Sequence, residues 1–449
     1  MRLGHVLYPL VALVFLASPA QAIKKAPAHK APAQAAAQKA PATPKAPKDA
    51  LMAAADEIVR QVAGLRGLQP KVALQRGVLT REEIGQKLKD RIGKEYTPEE
   101  VRAESRVLKR LGLLPVDADY EKLILDLLME QVAGFYDPFA QRLYIADWLP
   151  LEMQRPALAH EIEHALQDQH FDLKRFAQPI KDDGDQQLAH SALVEGDGTA
   201  VMLEFQAQAM GLPIDQLPEL VAQVGKQMLQ GSLGQTPLFD KAPAFLRETL
   251  IFPYLGGLGF VESMRKTQPW SKIDEVFKAP PESTEQILHP EKYLAKEKPV
   301  KVVAAPLTSL APRKELRRDV LGELELRIWF ASKLPEDVAE KAAAGWGGDR
   351  LVAYGDPATP DAPPAIVELS SWDTETDAKE AEAATRKMLA KLSGKPEAPA
   401  GQPARYLDAN GDEWSVERKA DQLLMLLGTP PAGHDAIAAE VWKTWKAPK

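Results

Sequence analysis

The chain has 449 residues, more than one ordinary core accommodates, so two domains are expected. A net charge of −7 argues against nucleic-acid binding driven by overall basicity, and 45% hydrophobic with 27% charged residues is a globular balance. With no cysteine, thiol nucleophiles, disulfides, Cys-ligated zinc and Fe–S clusters are all excluded. Any metal must be held by Asp, Glu and the eight histidines.

Residues 1–22 read as a secretory signal: Arg2, an apolar stretch from Val6 to Ala17, and Ala20-Gln21-Ala22 as a small-x-small cleavage site. The stretch is short of the roughly 20 residues that span a bilayer. The expectation is a secreted or periplasmic protein, soluble after signal cleavage. Residues 23–49 form an Ala/Pro/Lys-rich linker that cannot bury a core. Its lysines allow contact with an anionic envelope surface, beside the plainer role of a solvated spacer. An exported chain without cysteine and with such a tether has a bacterial look.

Helical signals dominate the first predicted domain, 50–300. Thr97-Pro98-Glu99-Glu100 is a capping-box start with Pro98 at the first helical position. A second helix is predicted from about Tyr120 to Val132, with Leu123, Leu127 and Leu128 on one stripe. Residues 134–145 change period and read as a β-hairpin. The stretch 236–257 reads as loop and helix start, ahead of a helix over 258–266. After a loose join around 296–312, residues 301–449 form a smaller α+β domain. It has predicted helices over 321–344 and 374–392 and strands near 350–354, 365–370, 413–419 and 422–427. The predicted fold class is α+β, with a mainly helical first domain carrying a small antiparallel sheet.

The chemistry is concentrated in His160-Glu161-Ile162-Glu163-His164, an HExxH sequence. Histidines at i and i+4 share one helix face, so both imidazoles can reach one ion. Pro156 is suited to open that helix, and Leu158, Ile162, Ala165 and Leu166 supply an apolar face. Zinc bound there would lower the pKa of a bound water towards roughly 7, and Glu161 beside the first histidine could take its proton.

Two residues compete as third ligand. His170 has metzincin spacing, but Gln167 stands where that arrangement turns on a glycine, and in a continuous helix His170 faces away from His164. Glu195 lies 31 residues past His164, room enough for a loop and a return helix on which Leu188, Ala192 and Thr199 keep helical spacing. Gly196 and Gly198 would each cost about 1 kcal/mol there, which close packing of this helix on the HExxH helix would explain.

HEIEH followed by a glutamate on a downstream helix resembles the gluzincin, thermolysin-like zinc metallopeptidases, and in particular a set of poorly characterised secreted bacterial proteins. GFYDP at 134–138, LAHEIEHALQDQHFDL at 158–173, ALVEGDGTA at 192–200, PPESTEQILHPEKY at 280–293 and GWGGDR at 345–350, with Ser371-Trp372-Asp373 beyond, carry the likeness. It implies a zincin-type catalytic domain with one Zn2+ per chain on His160, His164 and Glu195. Glu161 would serve as general base and then proton shuttle, and an edge strand of a small sheet would pair with an extended peptide. Thermolysin-like enzymes carry an Asp four residues after the ligand Glu that orients the first histidine; here that position is Thr199, and Asp197 stands two residues on, so that role is unassigned.

Candidates for stabilising a developing oxyanion are His289, Tyr293 and Tyr254, with His289 the selected catalytic partner. Tyr136, Asp137 and Trp372 suit structural roles at least equally well. The resulting expectation is an exported zinc metallopeptidase acting on protein or peptide substrate, with no nucleic-acid partner. The alternatives are a non-catalytic zinc-stabilised cell-envelope binding module, or a zinc amidase acting on a cell-wall crosslink.

Overall fold

Leu51, Ala55, Ile58 and Val62 recur at three- and four-residue spacing and turn one side of the helix Lys48–Arg66 into a buried stripe. In the computed structural model, which describes residues 48–132, 134–211, 237–266, 268–399 and 401–448, this stripe packs on Leu158, Ile162 and Ala165 of the helix Leu151–Phe171. The expected signal, and the linker up to residue 47, lie outside the described residues; Lys48 and Asp49 already belong to the helix.

The Thr97 start is a capping box, with Thr97 Oγ1 accepting from Glu100 N–H and Glu100 reaching back to Thr97 N–H. The helices Pro98–Arg110 and Tyr120–Gln131 follow as expected. The hairpin is present as β2 (Gly134–Asp137) and β3 (Arg142–Ala146), paired antiparallel. A strand missing from the sequence reading, β1 (Gln75–Leu79), joins β3 in parallel and makes this sheet mixed, in the order β1-β3-β2. Gly77 and flanking polar residues hid it: its pattern is half-exposed along its length.

Two long helices complete the layer over the HExxH helix. Gly184–Ala209 begins at Asp183, whose side chain accepts from Gln186 N–H, and it is fully buried from Ser191 to Phe205. Ala244–Arg265 crosses it at Gly257; a Cβ there would lie 1.9 Å from Ala192 O, and one on Gly196 would lie 2.2 Å from the Gly257 carbonyl carbon. The expected loop over 236–257 is therefore partly wrong, because a helix runs through Pro253. Backbone contact at the glycines and burial of Phe245, Leu250 and Tyr254 outweigh the hydrogen bond that Pro253 removes.

The C-terminal region carries a six-stranded antiparallel sheet. Its strands are β4 (Lys314–Asp319), β5 (Trp346–Gly355), β6 (Ala365–Trp372), β7 (Ala404–Leu407), β8 (Glu413–Lys419) and β9 (Gln422–Thr429), in the order β4-β5-β6-β9-β8-β7. The helix expected over 321–344 is two helices, Gly322–Ala331 and Glu336–Ala343, because Pro335 cannot continue the first. The mixed α+β class holds throughout.

The buried cluster runs across residue 300. Phe245, Leu258 and Phe260 share it with Leu324, Trp329 and Phe330. Polar contacts follow the same route: Arg110 Nη1 donates to Asp408 at 2.5 Å, Arg317 Nη1 to Glu104 at 2.9 Å, and Gly184 N–H to Asp319 at 2.7 Å. A chain ending at residue 300 is expected to lose this shared core and to melt without a cooperative transition. A sharp transition near the full-length Tm, followed by circular dichroism, would show instead that residues 50–300 fold alone.

Candidate metal centre

HExxH lies in the middle of Leu151–Phe171, whose residues 157–168 are all buried. Pro156 does not open this helix but sits inside it, after a start at Leu151. His160 and His164 are one turn apart with ring centroids 4.5 Å from each other. Glu195 comes to them from the neighbouring helix: Oε2 is 2.9 Å from His160 Nε2 and 3.4 Å from His164 Nε2. The three ligand atoms lie within 4.8 Å of one another, and the side chains are at most 2% exposed.

Gly198 makes the approach possible. A Cβ on it would lie 3.0 Å from His160 Cε1 and 3.2 Å from His164 Cε1, so a side chain would push the two helices apart. The sequence reading assigned both glycines to packing on the HExxH helix. Only Gly198 faces that helix; Gly196 faces Gly257.

Burial opposes charge on all three groups, yet the carboxylate stays ionised. His164, followed by the His160 hydrogen bond, holds the Glu195 carboxyl below the usual range despite desolvation. His160 is lowered by burial and by His164. On His164 the attraction of Glu195 outweighs burial and pushes the pKa up to about 10. The site thus calls for a positive charge beside Glu195, which a divalent cation satisfies as well as a proton. Glu195 Oε1 is buried with no hydrogen-bond partner among the described residues, and two imidazoles plus one carboxylate is a zinc donor set. The residues fit the ion.

Glu161, itself buried, accepts the Tyr136 N–H at 2.5 Å, which ties it to edge strand β2. Tyr136 also donates its hydroxyl to Asp168 at 2.7 Å, so one residue fixes two turns of the helix against the sheet. Asp137 accepts from Phe139 N–H and Ala140 N–H and shapes the hairpin turn. His170 points away, its Nε2 bonded to Gln69 O at 2.8 Å.

The structure does not bring His289 to this group. Its Nε2 lies 2.9 Å from Glu323, at the junction of two short helices, and its pKa is raised chiefly by that hydrogen bond. The polar, compact segment that suggested a catalytic role is compact because it joins the two regions. Thr284 donates to Asp185, and Lys292 holds Glu285, Glu297 and Asp373. Those three carboxylates could also surround a metal, but the Lys292 ammonium already sits among them. Tyr293 donates to Ala279 O, and Trp372 Nε1 to Ser370 Oγ, both structural contacts. Of the oxyanion candidates only Tyr254 adjoins the histidines; its ring stacks on His160 at 6.0 Å between centroids.

Residues 309–438 match a family described as a domain of unknown function (DUF8575). The match covers under a third of the chain and does not reach His160, His164 or Glu195. No curated protein and no solved structure matches the chain.

On the Glu195 helix, His190 packs against Phe176 with both ring nitrogens lacking hydrogen-bond partners among the described residues. Burial and the Arg175 guanidinium push its pKa down to about 4. An unfolded histidine, near 6.5, takes its proton first as pH falls, so native stability drops between those values. The loss from pH 7 to pH 5 should be about 2 kcal/mol. Urea unfolding of His190→Gln at both pH values is expected to show a smaller pH-dependent loss than the wild type by that amount; equal losses would mean the ring is protonated without penalty.

Proposed function

We propose that the protein is an exported zinc-dependent metallopeptidase. The observation that carries the reading is the convergence of His160, His164 and Glu195 from two helices on one buried point, with Glu161 next in sequence to His160, near enough to act electrostatically on His164, and tied to a sheet edge. Zinc, when bound, supplies Lewis-acid polarisation of a carbonyl and acidification of water. Glu161 is the general base and then delivers the proton to the leaving amine. The Tyr136 N–H holds one of its oxygens, fixing the carboxylate's orientation. The hydroxyl of Tyr254, on the ring stacked over His160, replaces His289 as the candidate donor to the oxyanion. β2 is the edge strand of the small sheet, the position from which backbone groups pair with an extended peptide. Export rests on the signal-like residues 1–22.

One observation favours a second reading. Structural zinc sites are closed, whereas catalytic ones keep an open position, and these ligand side chains are at most 2% exposed. A zinc-stabilised envelope-binding module fits that burial. In such a module Glu161 serves only as acceptor for the Tyr136 N–H, which a glutamine oxygen would do without the cost of a buried acid, and this is why the peptidase reading is preferred.

Metal analysis and a casein-type digestion assay on the purified wild type and Glu161→Gln separate the two. The peptidase reading expects about one zinc per chain in both proteins and turnover reduced on the order of 10³-fold or more in the variant. Zinc in both with no cleavage by either supports the binding module, and no zinc in the wild type rejects both.

A further inference from the structure

Behind His164 lies a chain of buried polar contacts that reaches the N-terminal helix. His164 Nδ1 is 2.8 Å from Gln167 Oε1. Gln167 Nε2 donates to Val194 O at 3.1 Å and to Asp197 Oδ2 at 2.8 Å. Asp197 Oδ1 accepts from Arg66 Nε at 2.9 Å, and Arg66 Nη1 donates to Asp274 at 2.8 Å. Arg66, Gln167 and Asp197 are all at most 1% exposed, and Arg66 occupies the next position of the apolar stripe after Val62.

The donors and acceptors leave one arrangement. A peptide carbonyl and a carboxylate bound to arginine can only accept, so both must face the amide NH2 of Gln167. The amide oxygen is thereby turned to His164, and an oxygen there requires a proton on Nδ1. Once a metal takes the place of the Nε2 proton, the ring presents its lone pair from Nε2, the nitrogen that faces Glu195. We infer that Arg66, Asp197 and Gln167 are positioning residues that set the tautomer and orientation of His164 for metal binding. Residues 48–66 thus belong to the machinery of the site. This inference rests on the zinc reading above and goes beyond it by giving the second ligand histidine, His164, its positioning partners.

An exchange of groups tests the relay. With Asp197→Asn, the asparagine oxygen stays on Arg66 and its NH2 faces the NH2 of Gln167, so the amide is driven to turn and present its nitrogen to His164. Zinc affinity, measured by chelator competition on the full chain, is expected to fall about 10- to 100-fold. In the double variant Asp197→Asn/Gln167→Glu the new carboxylate accepts from both the asparagine NH2 and His164 Nδ1–H, and only the bond to Val194 O is given up. Affinity and the visible bands of the cobalt(II)-loaded protein are expected to return to near wild type. Recovery is a result that loss of packing would not give. Gln167→Met, which removes the acceptor while nearly keeping the shape, should show the same weakening if Asp197→Asn does not fold. A single variant within twofold of wild type, or a double variant no better than Asp197→Asn, overturns the relay while leaving the zinc reading standing; absence of zinc from the wild type sinks the zinc reading first.

Discussion

A carboxylate with no exposed surface, set between two imidazoles, is the constraint around which this protein is built. An isolated buried anion costs many kcal/mol, and it persists only beside positive charge or well-aimed hydrogen-bond donors. Glu195 has His160 and His164 on one oxygen and no partner among the described residues on the other. The helices that bring these groups together must therefore be held firmly, and each is held from a different side. The HExxH helix is braced by Tyr136 from the small sheet and by the Leu51–Val62 stripe. The Glu195 helix is locked by the backbone-to-backbone crossing at Gly196 and Gly257.

The C-terminal region contributes to the same end. Asp319 accepts from the first N–H of the Glu195 helix, and Asp185, one residue on, is gripped by Thr284, whose hydroxyl accepts from Leu324 N–H. Arg350 donates to the Asp182 carbonyl just ahead of that helix. These contacts give residues 309–438, the stretch matching the family of unknown function, a defined structural connection to the ligand helix. Segments such as 280–293 and 345–350 carry this junction rather than catalytic groups, which accounts for their density of polar and glycine residues.

The parts legible in the sequence were those with strong local signals. The Thr97 capping box, the 134–145 hairpin and the strands 413–419 and 422–427 are set by short-range chemistry, and HExxH fixes the relation of His160 to His164 through helix geometry alone. Glu195 was also reachable, because a glycine-flanked acid on a buried helix has few uses. What escaped was decided by distant packing. The strand at Gln75 exists because β3 offers it an edge, and Pro253 stays helical because two glycines pull its helix against another. His289 was misassigned since its partner Glu323 lies 34 residues away. Arg66 and Gln167 each carried a visible hint, a charge on an apolar stripe and an amide in a buried helix, but they are joined only through Asp197, 131 residues from Arg66 and 30 from Gln167.

X-ray absorption at the zinc edge of the purified, zinc-loaded full chain addresses the central claim most directly. The account predicts four- or five-coordinate zinc with two imidazole shells and one carboxylate oxygen, reduced to a single imidazole or lost altogether in His164→Ala. A zinc spectrum without imidazole scattering, or one unchanged by that substitution, would contradict it.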